Sequence, residues 1–90
     1  MKISDSKKEK IYEQILAFLY SASPKPLFTS NIAKELARDE EFVFFLLRVL
    51  KSKGLVVEIR KNSKGTDYKR RRRWKLSDEA YTSYEKHQLH

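Results

Sequence analysis

Cysteine is absent from the 90 residues, so neither a disulfide framework nor a thiolate metal site can form. Histidine is nearly absent too. His87 and His90 stand near the C-terminus with no partner cluster, and no metal is expected. The only glycines, Gly54 and Gly65, fall in turn-like contexts, which leaves no glycine-rich phosphate loop. No nucleophile–base pair is evident either. The chain therefore reads as a non-enzyme, with no cofactor and no small-molecule ligand. No apolar run is long enough to cross a membrane, and the opening MKISDSKKEK has no apolar signal core. A cytoplasmic protein without a membrane partner is expected.

What is present is charge, and it is concentrated. Arg60, Lys61, Lys64, Lys69, Arg70, Arg71, Arg72, Arg73 and Lys75 lie within sixteen residues that contain one acid, Asp67. That stretch carries the whole net charge of +8, because the rest of the chain balances 11 basic against 11 acidic residues. This is a patch rather than a generally basic protein, and its natural partner is a polyanion.

Apolar residues make up 40% of the chain, enough to fold, and the length fits one domain, residues 1–90. Residues 6–22 read as a helix, with Ser6 and Glu9 in a capping-box pattern and Ile11, Ile15, Phe18 and Leu19 at helical spacing. Pro24 and Pro26 end it. Leu27 and Phe28 can form a very short strand. Thr29 or Ser30 can cap a second helix, 29–37, with Ile32, Ala33 and Leu36 inward. A third helix, 40–53, opens on Asp39, Glu40 and Glu41, which suit the positive end of its dipole. Val43, Leu47 and Leu50 form its inner stripe, and Gly54 is its left-handed terminator.

Residues 55–61 and 68–76 read as two strands about a turn cluster, followed by a helix over 77–87 capped by Ser77. Alternation puts Arg70, Arg72, Trp74 and Leu76 on one face of the second strand, and Lys69, Arg71, Arg73 and Lys75 on the other. Trp74 and Leu76 anchor the base in the core. The arginines are expected to project from both faces into water.

The element order, with Ile32-Ala33-x-x-Leu36, Val43, Leu47-x-x-Leu50, Lys53-Gly54-Leu55-Val56 and Trp74-x-Leu76-Ser77, resembles the winged helix-turn-helix family. The likeness is to small transcription regulators of archaea and bacteria, and it covers nearly the whole chain. It implies an α+β, mostly α fold: a three-helix core, a two-stranded β wing and a short C-terminal helix. It also implies duplex DNA as partner, with the third helix in the major groove and the wing on the backbone or minor groove. Such a regulator would be nucleoid-associated.

Carried over by position, Arg60, Lys61, Lys64, Lys69 to Arg73 and Lys75 fall where the wing meets phosphates. Thr29, Ser30 and Asn31 fall where backbone contacts are made. The third helix departs from the family pattern. Asp39, Glu40, Glu41, Phe44, Phe45 and Arg48 occupy the base-facing positions. Acids there repel phosphate, and phenylalanine offers no donor to a base edge. Arg48 is the one expected base reader, and Lys51 a backbone contact. Binding is thus expected chiefly through phosphates.

Two alternatives stay open: RNA as the polyanion, and a protein-interaction module built on the acidic, aromatic third helix. Phe42, Phe45 and Val49 form a second apolar stripe on that helix, with Phe44 beside it. The stripe either packs within the chain or forms a homodimer interface.

Overall fold

The computed structural model describes residues 5–59 and 72–88. The order of elements is α1 (Asp5–Ala22), β1 (Leu27–Phe28), α2 (Thr29–Leu36), α3 (Glu40–Ser52), β2 (Val56–Ile59), β3 (Arg73–Leu76) and α4 (Asp78–Gln88). Ser6 lies inside α1 rather than ahead of it. The expected strands 55–61 and 68–76 are seen as β2 and β3. Residues 60, 61 and 68–71 of those spans lie outside the described residues.

The strands form one antiparallel sheet in the order β1-β3-β2. The register pairs Val56 with Leu76 and Glu58 with Trp74 on one side of β3, and Leu27 with Trp74 on the other. β3 is therefore the central strand, and Arg73 is flanked by Phe28 and Ile59 instead of standing on an open ribbon.

The core lies between the inner face of this sheet and the helices. Ile11, Ile15 and Leu19 of α1, Ile32 and Ala33 of α2, Val56, Trp74 and Leu76 are all buried. The inner stripe of α3 is wider than expected: Leu46 joins Val43, Leu47 and Leu50, all buried. These four lie at i, i+3, i+4 and i+7, the spacing of one helical face. Trp74 is the largest fully buried side chain. Its indole Nε1–H donates to Thr29 Oγ1 at 2.8 Å, so the one polar atom of the ring is satisfied inside the core. α4 docks through aromatic contacts, with Tyr81 and Tyr84 at 5.2 Å and 4.6 Å from Tyr20.

Capping explains the joints. The Phe42 amide donates to Asp39 Oδ2 at 3.1 Å, which starts α3 as expected. Ser77 both accepts from the Ala80 amide and donates to the Gly54 carbonyl, tying the start of α4 to the end of α3. Gly54 sits at φ +75°, the left-handed conformation its position requires. The start of α2 differs from expectation. Neither Thr29 nor Ser30 caps it; Asn31 Oδ1 accepts from the Phe28 amide at 3.3 Å. Thr29 is already committed to Trp74, and burial of that pair outranks an exposed cap.

α2 ends on Ala37 at φ 54°, ψ 44°, with the Arg38 amide donating to the Ala33 carbonyl at 3.0 Å. An alanine in this conformation costs about 1–2 kcal/mol, against which glycine loses about 0.5–1 kcal/mol of unfolded-state entropy. Ala37→Gly is therefore expected to raise the melting temperature by a few degrees, on the order of 0.5–1 kcal/mol. Differential scanning calorimetry checks this; an unchanged or lower melting temperature contradicts it.

Candidate nucleic-acid interface

Three element starts converge on one surface: the N-terminus of α2, the N-terminus of α3 and the residue leading into β3. Between them lies an open cavity of about 600 Å³, lined among others by Ser30, Glu40, Glu41, Phe44 and Arg72.

Arg72 dominates its electrostatics, and it does not project into water as the alternation pattern predicted. The residue shares the inner face with Trp74, so its guanidinium turns toward the helices. Its Nε forms an ion pair with Glu58 Oε2 at 3.2 Å, and its guanidinium carbon lies 4.9 Å from the centroid of the Phe44 ring. Glu58 also receives Lys51 Nζ on Oε1 at 3.0 Å. The Glu58 side chain is only 4% exposed, against 32% for Arg72 and 51% for Lys51. A carboxylate withdrawn from water costs several kcal/mol unless it is paired. Here a cation from α3 and one from the sheet share that task.

Phe44 completes the arrangement. Its ring meets Trp74 edge-on at 6.1 Å and 61°. The Arg48 guanidinium lies 5.8 Å from the same ring. A cation over an aromatic face gains roughly 0.5–2 kcal/mol, depending on desolvation. The sequence reading missed Glu58. It sits two residues after Val56, on the face that carries Trp74 across the sheet, and that alternation was the available signal.

The other expected residues divide clearly. Arg60, Lys61, Lys64, Lys69, Arg70 and Arg71 lie outside the described residues. Thr29 is 8% exposed and its hydroxyl accepts from the Trp74 indole, which gives the side chain a structural role. Asn31 is exposed but works as the α2 cap, and Ser30 is exposed on the cavity wall. Lys51 is exposed and has its ammonium on Glu58 Oε1. Arg48 is exposed on α3, and Arg73 and Lys75 are half-buried in β3.

The second stripe of α3 is not one open face. Phe42 and Phe44 pack against the core, Val49 is half-buried, and Phe45 is 56% exposed. No group of three or more His, Asp or Glu side chains among the described residues could hold a metal. Among the described residues no helix is long and apolar enough to cross a membrane.

No protein-family model matches the chain, and no curated protein does. Solved structures do match. MepR, a transcription regulator of the Staphylococcus aureus multidrug efflux pump MepA, is 27% identical, with a TM-score of 0.70 over 94% of this chain and 62% of its own. MepR in complex with DNA matches at 25% identity and a TM-score of 0.67, over 92% of this chain and 54% of its own. A variant of ZitR from Lactococcus lactis, at 22% identity, has a TM-score of 0.70 over 100% of this chain and 57% of its own.

The chain is a winged helix-turn-helix domain. In it α2 and α3 are the helix-turn-helix pair, and β2 and β3 are the root of the wing. The wing is braced by a third strand, β1. The winged helix spans between 54% and 62% of the length of these three solved chains.

Proposed function

We propose that this winged helix binds duplex DNA and acts as a transcription regulator. It takes hold of the backbone mainly through the cations between Ile59 and Arg72, and it works on the nucleoid in the cytoplasm. One observation carries this: the fold matches that of MepR in complex with DNA across nearly the whole chain. The charge supports it. β2 ends at Ile59 and β3 begins at Arg73, which are directly paired, so both ends of the intervening segment are anchored at the same edge of the domain. That segment carries Arg60, Lys61, Lys64, Lys69, Arg70 and Arg71 against a single acid, Asp67. The Phe45 ring is apolar surface on α3 that a second copy could cover.

The test is fluorescence anisotropy on a labelled duplex, with unlabelled duplex, single-stranded DNA and structured RNA as competitors. Duplex should compete best. Lys69→Ala, Arg70→Ala and Arg71→Ala in one variant should weaken binding roughly tenfold or more at low salt, with an unchanged melting temperature. These three are chosen because they are the densest run of cations between Ile59 and Arg72. Wild-type affinity in that variant refutes the assignment of the wing as the backbone grip. Preferential competition by RNA refutes duplex DNA as the partner.

A further inference from the structure

Arg72, at the end of the basic run, lines the cavity at the wing root. Resting on the duplex-binding proposal above, we infer that the cavity at the wing root reads a G·C base pair. Arg72 would donate to guanine, and Glu40 or Glu41 would accept from cytosine.

The guanidinium of Arg72 is fixed at two points, its Nε on Glu58 at 3.2 Å and its face on Phe44 at 4.9 Å. The guanidinium is planar, so with Nε the nitrogen nearest that carboxylate, the terminal Nη donors form the fork left for a ligand. Arg72 lines the cavity, so this fork serves the cavity. An arginine already immobilised loses little further rotamer entropy on contact, which favours a directional role over loose phosphate attraction.

Glu40 and Glu41 line the same cavity and are exposed. They decide what can enter. A phosphate offers only acceptors and a negative charge, so it satisfies Arg72 but is repelled by both carboxylates. A base-pair edge is neutral and carries donors as well as acceptors. Guanine presents O6 and N7 side by side, the pair of acceptors that matches an arginine fork. Its partner cytosine presents the N4 amine, which a carboxylate accepts. Adenine offers the fork only N7 as an acceptor, and thymine only O4. The acids that would repel backbone along the helix thus act here as a filter. Glu58 and Phe44 are positioning residues for Arg72.

The experiment is selection from a randomised duplex library, at fixed salt, with the wild type, Arg72→Lys, and the double variant Glu40→Gln, Glu41→Gln. Melting curves are recorded for each. The wild type should enrich a G·C pair at one position by roughly 5- to 150-fold over the other pairs, the range of one bidentate contact. Arg72→Lys keeps the charge but not the fork, so it should lose the preference while keeping overall duplex affinity within a few-fold. The glutamine pair replaces exposed side chains, so its fold is secure. It should flatten the preference and tighten binding to unselected duplex. If the folded lysine variant retains the G·C preference, the inference is overturned. If the wild type binds duplex with no base preference, the cavity does not read sequence, and the backbone-binding proposal stands without it. If the wild type binds no duplex at all, both fall together.

Discussion

Between roughly 50 and 200 mM salt, the affinity of this domain for duplex DNA is expected to fall several hundred-fold, with a log–log slope near −4 to −5. The magnitude follows from counting cations that can meet phosphate. Nine basic residues crowd the stretch from Arg60 to Lys75. The structure removes some from the count. Arg72 is held by Glu58 and Phe44, and Arg73 and Lys75 are half-buried in β3. Lys51, outside the stretch, is also held by Glu58. The six cations of residues 60–71 are left as the main group, opposed by Asp67. About five neutralised phosphates, each contributing about −0.9 to the slope, give the stated value. Titrations at four or more salt concentrations read it directly. A slope near zero would mean that the basic run does not displace counterions from DNA, and the grip assigned to it would be wrong.

The second large effect is on the fold. Trp74→Ala should cost about 3–5 kcal/mol. In a domain of this size that is a third or more of a total near 5–13 kcal/mol. The residue is fully buried and central in the sheet, with β1 on one side and β2 on the other. It also supports Phe44 edge-on, and through Phe44 the guanidinium of Arg72. Its loss opens a cavity under the wing root and removes the indole donor from the Thr29 hydroxyl. The melting temperature should drop on the order of 20 °C. Thr29→Val, which removes the acceptor for the indole N–H and the hydroxyl's donation to the Arg72 carbonyl, should cost about 1–3 kcal/mol. Thermal melts of both variants decide the point. If Trp74→Ala melts no lower than Thr29→Val, the ring is not the keystone of the sheet.

Much of this was legible from residue order. The apolar spacing of α1 and α3, the Asp39 cap, Gly54 beyond α3, Ser77 before α4 and the anchoring role of Trp74 are local matters. Each depends on residues within about one or two turns, so pattern reading reaches them. The misses are of another kind. Thr29 looked like a cap and a phosphate donor, but an indole 45 positions away claims its hydroxyl. Lys51 is an exposed cation, but its partner is a buried carboxylate seven positions away. Leu46 was a lapse in pattern reading, since its spacing to Val43 and Leu50 was in plain view.

The linear order by itself determined that a helical body would be joined to a concentrated cationic stretch entering and leaving on two strands. Helix periodicity, caps and charge density are short-range properties, set before the chain closes on itself. Only the tertiary structure decided which arginine is fixed and which contacts it makes. Arg72 acquires its two holders from α3 and β2, and neither is its neighbour in sequence. Pairing a carboxylate that has left water requires the partners to be brought together in space, and that proximity exists only once β2, β3 and α3 have packed.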